Sequence, residues 1–440
     1  MRRKIFTTLA LAISLFSMQS CLFNQEDIFD QSSSERLSAA KDNARKILMD
    51  AEYGWLFEMF PESTQEHGGF AYTLKFSELE VEVRTERMSG VYTSLYKMID
   101  DNGPTLVFDS YNKAIHEFST PSGSSDSYEA MHGEFEFVIV DATPELITLR
   151  GPRTGNTMYM RPLQEPAESY LAKIDDIASS FMMTSIEGKL GDNDINAKID
   201  TDTRHFTFTV GDKSKTLAYA LTDKGLRFYQ PVKLGDTEFE SFELTDGGKS
   251  LTISDGAASG TSFAAVFPEG YRMYADYAGK YMFKYSKGEF PVTLVPAGDG
   301  KSYRMQGVNE NYEIVLNYSK GTGTLSLCTQ ILTMGGEYVK DGKNYIAILS
   351  FDSVKMYSNY GTKIGLVTKW NGDVEHPVYD LVDNGEWGTY TVCALIFKSM
   401  SSTTLSTSYN LGNLASTAYF PFTGAGKHQV TGIVSLTKVD

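Results

Sequence analysis

Two tryptophans stand beside turn-forming residues in the last third of the chain. One begins the segment Trp370-Asn371-Gly372-Asp373, and the other lies within Asn384-Gly385-Glu386-Trp387-Gly388. A planar apolar ring beside amide and carboxylate groups suits stacking against a sugar ring or a peptide side chain. Loops often carry binding residues, although a tryptophan near a hairpin also commonly covers a core. Trp370 and Trp387 are therefore the candidate ligand-binding residues, whereas Trp55, which follows the first predicted helix, is interpreted as a core residue.

The sequence contains no motif of a catalytic or metal site. The six histidines include no pair at the i, i+4 spacing of a helical zinc protease, and no G-x-S-x-G nucleophile turn occurs. His132, Glu134 and Glu136 stand at period two and are interpreted as a solvated strand face. The 56 acidic residues offer many carboxylate pairs for sugar hydrolysis, and only geometry could select one. We predict no catalytic residue, no metal site and no cofactor.

The N-terminus has the form of a lipoprotein export signal. Three basic residues lie within the first four positions, and an apolar stretch over residues 5–16 is too short to span a bilayer. The segment Ser17-Met18-Gln19-Ser20-Cys21 resembles a bacterial lipobox, whose cysteine becomes the lipidated N-terminus. We expect a signal peptide over residues 1–20, lipidation of Cys21 and a tether over residues 21–34. A lipid anchor with two or three chains attaches a protein stably to a membrane.

The net charge of the chain disfavours nucleic acid as a partner. The formal net charge of −16 becomes −19 once the three basic residues of the signal are removed. Such a charge repels phosphate backbones, so nucleic acid is not an expected partner.

Cys328 and Cys393 lie in apolar stretches that favour buried free thiols, and a disulfide between them stays open as the alternative.

Hydrophobic spacing predicts the elements that must position these residues. The capping-box sequence Ser32-Ser33-Ser34-Glu35, followed by apolar residues at helical spacing, predicts an amphipathic helix over residues 35–52. A second helix is predicted over residues 166–182, beginning at Pro166. After each helix the apolar period changes to two, which is typical of half-buried strands. From about residue 271 the chain is rich in Tyr, Gly and Thr and predicts short strands without a helix.

The predicted fold class is α+β with predominantly antiparallel β structure, in which helix-plus-sheet units precede an all-β sandwich or barrel-like C-terminal unit. The expected domains are a first helix-plus-β unit over residues 35–164, a second helix-plus-β unit over residues 165–270 and an all-β domain over residues 271–440.

Several separate motifs, in their order along the chain, resemble an uncharacterised family of Bacteroidota lipoproteins defined only as a domain of unknown function. They comprise residues 24–37, Tyr53-Gly54-Trp55, residues 68–76, Ser94-Leu95-Tyr96, residues 103–112 and Glu134-Phe135-Glu136-Phe137. The resemblance covers roughly residues 20–270. The acidic residues shortly after Cys21 also resemble the signal that sends such lipoproteins to the cell surface. The resemblance implies an outer-membrane lipoprotein, often associated with a TonB-dependent transporter and its binding lipoprotein, and it supplies no catalytic residues.

These observations favour a surface-exposed outer-membrane lipoprotein that binds a nutrient, either a glycan or a peptide, as an accessory to a TonB-dependent uptake system. Two alternatives stay open. One is a secreted hydrolase whose carboxylates are dispersed in the sequence, and the other is a structural or adhesive protein of the cell surface.

Overall fold

The computed structural model describes residues 32–100, 103–121, 131–414 and 429–439. Across these residues antiparallel strands predominate and two α-helices are present, so the predicted mostly antiparallel α+β class is confirmed. No helix in the described ranges is long and apolar enough to cross a membrane. The described residues form two compact units: the first contains 32–57, 73–84 and 90–164, and the second contains 58–72, 85–89 and 165–439. The predicted domain boundaries stay predictions.

The first helix, α1 (Ser33–Asp50), begins at the predicted capping box. The Glu35 amide donates to the Ser32 side-chain oxygen at 3.3 Å, and the Ser32 amide donates to the Glu35 carboxylate at 2.9 Å. The helix buries Leu48, whose carbonyl oxygen accepts a 3.0 Å hydrogen bond from Nε1 of Trp55. Trp55 is only 1% exposed, which confirms its interpretation as a core residue.

The eight strands that follow α1 form a closed antiparallel barrel in sequence order. They are β1 (Trp55–Met59), β2 (Phe70–Phe76), β3 (Glu80–Thr85), β4 (Met88–Ile99), β5 (Thr105–Phe108), β6 (Glu136–Ala142), β7 (Ile147–Arg150) and β8 (Thr157–Pro162). An eight-stranded barrel is just wide enough for its side chains to fill the interior. Phe57 and Phe137 pack edge to face at 5.1 Å and are both fully buried.

The second predicted helix is present as α2 (Ala167–Ser180), with Pro166 as its N-cap and not as its first helical residue, and it buries Tyr170 and Ile174. A second closed barrel follows it, in which β9 pairs with both β10 and β16. Its strands are β9 (Ser185–Leu190), β10 (Asn193–Asp200), β11 (His205–Val210), β12 (Lys213–Leu221), β13 (Gly225–Leu234), β14 (Thr237–Thr245), β15 (Ser250–Ile253) and β16 (Ser262–Ala265). A single 3-10 turn, Asp246–Gly248, precedes β15.

Aromatic side chains fill the core of this second barrel. Its buried phenylalanines contact one another with ring centroids 5.1 to 6.4 Å apart: Phe206, Phe208, Phe228, Phe239, Phe242 and Phe263. The barrel is therefore a packed support, and its loops and outer surface are where a ligand has room.

The described residues from 271 onward form two sheets and contain no α-helix. The larger sheet has ten strands, and a further pairing between β19 and β20 closes eight of them into a third ring. Its strands are β17 (Gly279–Tyr285), β18 (Gly288–Pro296), β19 (Ser302–Asn309), β20 (Tyr312–Ser319), β21 (Thr324–Cys328), β23 (Thr333–Met334), β24 (Glu337–Tyr338), β28 (Gly365–Trp370), β29 (Val378–Asp383) and β33 (Ile433–Val439).

The smaller sheet is centred on β26. Its strands are β22 (Gln330–Ile331), β25 (Lys340–Asp341), β26 (Asn344–Asp352), β27 (Tyr357–Asn359), β30 (Ala394–Met400), β31 (Asn410–Asn413) and β32 (Gln429–Thr431). Two 3-10 turns, Tyr274–Tyr277 and Thr407–Tyr409, belong to the same region. The expected helix-free C-terminal region of short strands is present in the described residues.

Buried ion pairs connect elements within the second compact unit. The guanidinium of Arg204 contacts both carboxylate oxygens of Glu86 at 2.8 and 2.7 Å, and Glu86 is almost fully buried. Arg227 pairs with the equally buried Glu58 at 2.5 Å. Removing one partner of such a pair leaves an uncompensated buried charge, so these contacts hold their elements in a defined arrangement.

Candidate functional site

The loop that follows β29 is held by side-chain hydrogen bonds to neighbouring elements. The Val392 amide donates to the Asp383 carboxylate at 3.0 Å, and the Thr391 amide donates to the Asp352 carboxylate at 3.2 Å. Asp352 also accepts the Lys355 amide at 2.9 Å, and this backbone hydrogen bond is the main reason that its pKa lies below the usual value. One buried carboxylate therefore joins the β26–β27 turn to the loop after β29.

Three aromatic rings meet where this turn and this loop approach each other, and we call Tyr357, Trp387 and Tyr390 the aromatic patch. Trp387 and Tyr390 stack with ring centroids 5.0 Å apart and planes inclined by 23°. Tyr357 meets Tyr390 edge to face at 5.4 Å. Lys355 places its ammonium 4.6 Å from the centre of the Tyr390 ring and donates to the Thr389 carbonyl. The rings are thus fixed relative to one another before any ligand arrives.

The aromatic patch is bordered by strongly exposed apolar side chains. Tyr357 is 58% exposed, and Val354 and Met356 in the adjoining turn are 85% and 68% exposed. Trp387 and Tyr390 are half-buried, and Trp387 also packs against the core of this region. An exposed ring supported by partly buried rings offers an apolar face at little entropic cost.

Trp370 has a different environment. Its ring lies under the guanidinium of Arg272, whose carbon atom is 4.5 Å from the ring centre, and its Nε1 donates to the Asp373 carbonyl at 3.1 Å. The side chain is half-buried and packs against the same core as Trp387. Contacts within the protein therefore occupy one face of Trp370 and its only hydrogen-bond donor.

The two predicted tryptophans lie at opposite ends of one hairpin. Strands β28 and β29 pair antiparallel, with Trp370 opposite Tyr379 and Leu366 opposite Asp383. Trp387 follows Asp383 and so belongs to the Leu366 end, and the two ends of the paired segment are four strand residues, or roughly 14 Å, apart. The structure does not bring Trp370 and Trp387 together into one site, and each must be judged by its own surroundings.

A polar cleft of about 660 Å³ lies at the Trp370 end. Its ionisable lining residues are Arg272, Asp276, Glu375, His376 and Lys438, and Trp370 is not among the lining residues. Arg272 pairs with Asp276 at 3.2 Å, and the Lys438 ammonium donates to the Asp276 carbonyl at 2.9 Å. Arg272 and Lys438 thus each have a partner in Asp276, although the buried Nε of Arg272 has no hydrogen-bond partner among the described residues. In the described part of the chain, no Trp, Tyr or Phe ring lines the polar cleft, which makes it a weaker candidate for stacking than the aromatic patch.

The proposed strand face of His132, Glu134 and Glu136 is not present, so this interpretation was wrong. Glu134 is buried in the turn before β6, and its carboxylate accepts hydrogen bonds from the backbone amides of Arg153 and Thr154 at 2.9 and 2.7 Å. Its role is to hold the β7–β8 turn. In the described ranges, no group of three or more His, Cys, Asp or Glu side chains is arranged to hold a metal ion.

Cys328 and Cys393 are both free thiols in the structure, as the sequence favoured. Cys328 is buried, and its Sγ donates to the Lys363 carbonyl at 3.7 Å. Burial raises the pKa of the Cys328 thiol, which disfavours the reactive thiolate. Cys21, the predicted lipidation site, lies outside the described residues.

Two family models match the chain. A model described as Domain of unknown function (DUF4302) matches residues 25–246, just over half of the chain. The chain belongs to this family. A second model, DUF4987, also described as a domain of unknown function, matches residues 254–395. A search of curated proteins found no relative that matches the chain.

The DUF4302 match covers the first barrel and most of the second, and the aromatic patch lies within the DUF4987 match. Sequence reasoning found Trp387 because turn residues surround it, but it missed Tyr357 and Tyr390. Tyr390 lies only three positions after Trp387, so a pair of aromatics in one loop was a usable signal. Tyr357 carried no such signal, because only the pairing of the sheets brings it to this loop.

Proposed function

We propose that this protein is a surface-exposed, lipid-anchored outer-membrane protein of Bacteroidota type that binds a glycan or a peptide on the aromatic patch. In this proposal the lipid is carried by Cys21, and the bound nutrient is passed to a TonB-dependent transporter and its binding lipoprotein. The lipobox-like sequence supports the anchor. The observation that carries the binding role is the stacked Trp387 and Tyr390 pair with the exposed Tyr357 beside it.

The physical basis of binding is the apolar face of a ring presented beside polar groups. The C–H faces of a sugar ring, or an apolar peptide side chain, bury area against Tyr357 and the edge of the stacked pair. Glu386 and Thr389 lie exposed in the same loop and supply carboxylate and hydroxyl groups for hydrogen bonds. The side-chain amide of Asn384 is used within the protein, because it donates to the Lys363 carbonyl and accepts the Glu386 amide. Each ring contributes on the order of 1 kcal/mol to such stacking, which corresponds to an affinity change of about fivefold.

The test measures binding of a glycan panel and a peptide panel by isothermal titration calorimetry. Tyr357→Ala is the main variant, because the exposed ring can be removed with little effect on folding, and we expect it to weaken the ligand about fivefold. Trp387→Ala should weaken binding by a similar factor, with some loss of melting temperature since this ring also packs on the core. Tyr338→Ala is the matched control, because Tyr338 is similarly exposed on β24 and lies outside the aromatic patch.

The outcomes separate the three functional classes. Equal ligand affinity in Tyr357→Ala and the wild type would falsify the assignment of the aromatic patch. Turnover of a panel member, abolished by a single Asp or Glu substitution, would favour the hydrolase alternative. Absence of any small ligand, together with adhesion to cells or surfaces, would favour the structural or adhesive alternative.

A further inference from the structure

A second cleft, of about 610 Å³, lies within the second compact unit and is separate in its lining from the aromatic patch. One group of lining residues comes from β10 and the turn after it and includes Asp200 and Asp202. The other comes from the turn before β19, the end of β20 and the β20–β21 turn, and it includes Lys301 and Lys320. We call this space the dipolar cleft, because it contains two carboxylates from one segment and two ammonium groups from others.

Lys320 is the most constrained charge in the dipolar cleft. Its ammonium donates to the carbonyl oxygen of Phe181, the C-cap residue of α2, at 3.2 Å. Among the described residues, no carboxylate forms an ion pair with Lys320. Burial lowers the pKa of Lys320 to about 8, and the nearby charge of Lys301 acts in the same direction. A half-buried cation without an anionic partner is unusual, since buried charges are normally paired.

On the acidic side of the dipolar cleft, Asp200 is hydrogen-bonded within its own turn, whereas Asp202 faces solvent. Asp200 is used by its own turn, because its carboxylate accepts the amides of Asp202 and Thr203 at 2.9 and 3.0 Å. Asp202 is exposed. Its negative charge raises the pKa of Lys320, against the effect of burial and the opposing charges of Lys301 and Arg204. Asp202 and Lys320 therefore influence each other across the cleft without forming an ion pair.

We propose that the dipolar cleft binds a short peptide with free ends, whose ammonium group faces Asp202 and whose carboxylate faces Lys320. The two protein charges lie beyond the 4 Å of an ion pair, and two extended residues of a peptide span roughly 7 Å. A ligand with separated opposite charges compensates both sides at once, whereas a simple anion would leave Asp202 facing a like charge. This site is independent of the aromatic patch.

The structure also gives Lys320 a role in the fold, because its ammonium lies at the C-terminus of α2, where a positive charge is favourable. That role alone predicts no selectivity between ligands. Selectivity for both charged ends of a peptide is therefore the property that separates a binding site from a helix cap.

The experiment uses the full chain and four forms of alanyl-alanine: with both ends free, N-acetylated, C-amidated, and blocked at both ends. We expect the free dipeptide to bind at least tenfold more tightly than either singly blocked form in calorimetric titration. Asp202→Asn should remove the preference for a free amino end, and Lys320→Met should remove the preference for a free carboxylate. Lys213→Met, which changes an exposed lysine on β12, is the matched control and should keep both preferences.

Asp202→Asn keeps the proposal testable even if Lys320→Met unfolds, because Asp202 is exposed and its side chain forms no hydrogen bond or ion pair within the described residues. Equal affinity for all four dipeptides, or no binding at millimolar concentration, would overturn the proposal. The proposal also fails if the N-acetylated form binds as tightly as the free dipeptide, since the cleft would then recognise a carboxylate alone. None of these results depends on Tyr357 or Trp387, so they are distinct from a failure of the aromatic patch.

Discussion

Lys320 holds a positive charge where water has limited access, and this has a consequence for stability at alkaline pH. Its pKa of about 8 in the folded protein lies below the value of about 10.4 expected for an unfolded lysine. Between these two values the unfolded chain binds more protons than the folded protein. The free energy of unfolding therefore rises with pH in this window, as the folded state loses the cost of the buried charge.

The first prediction is that the buried ammonium of Lys320 makes the protein more stable as the pH rises above about 8. Between about pH 8 and about pH 9.5 the wild type should gain on the order of 1–2 kcal/mol of stability relative to Lys320→Met, in which the group is absent. Urea unfolding of both proteins across this range measures the difference. The pH range ends at about 9.5 because burial raises the pKa of Tyr277 and Tyr281 in the folded protein. Above about pH 10 these tyrosines ionise in the unfolded chain but not in the folded protein, which lowers the free energy of unfolding. Parallel stability curves for the two proteins would contradict the linkage.

At the scale of elements, the aromatic patch depends on how two loops are joined. Asp352 accepts amide hydrogen bonds from the β26–β27 turn and from Thr391 in the loop after β29. Because these bonds favour the ionised form, the folded-state pKa of Asp352 is depressed. The stabilisation is present above the unfolded pKa of about 3.9 and is lost as the pH falls through the lower folded value.

The second prediction concerns Asp352→Asn, which replaces a charge-assisted acceptor with a neutral one. Amide hydrogen exchange should accelerate at Val354, Lys355 and Thr391, and ligand affinity at the aromatic patch should fall several-fold, because the rings are less well positioned. Asp255→Asn is the control, since Asp255 fixes Glu240 and Ser241 by the same kind of bond in the second barrel. That variant should alter exchange only near residue 240. Unchanged exchange around Asp352 in Asp352→Asn would show that the loops are held by other contacts.

At the scale of the whole molecule, the residue predicted to attach the protein to a membrane, Cys21, lies outside the described residues. The sequence around Cys21 predicts that a lipid attaches the whole body to a membrane. The prediction of membrane attachment rests on this cysteine and on the lipobox-like segment that ends with it.

The third prediction is that Cys21→Ala abolishes lipid labelling and releases or misprocesses the protein in a Gram-negative host. Incorporation of a labelled fatty acid and membrane fractionation measure the two effects. Cys328→Ala serves as the control, because it alters a buried thiol and should leave both lipid labelling and fractionation unchanged. Membrane association that persists in Cys21→Ala without lipid would rule out this anchor.

Local sequence was sufficient where the forces that form an element are local. The capping box at Ser32 and Glu35 marked the start of α1, because its side chains satisfy backbone N–H groups of the first turn. Pro166 marked the start of α2 for a different local reason, since its ring fixes φ and it has no N–H that needs a partner. The predicted change to period two after each helix has the same local origin, and β10 and β11 show it, since one face of each strand is more buried than the other. Strand β1 carries no such signal, because all five of its residues are buried and no alternation exists to detect.

The sequence by itself determined the mostly β class, the two helices, the core position of Trp55 and the choice of Trp387 as a residue beside a loop. Only the tertiary structure placed Trp370 and Trp387 at opposite ends of a hairpin, added Tyr357 and Tyr390 to one of them, and set Lys320 opposite Asp202. Asp202 and Lys320 are far apart in sequence, and their proximity results from packing between elements. Spacing along the chain records local periodicity and capping, whereas the distance between remote charges and rings depends on the pairing of strands that no local pattern encodes.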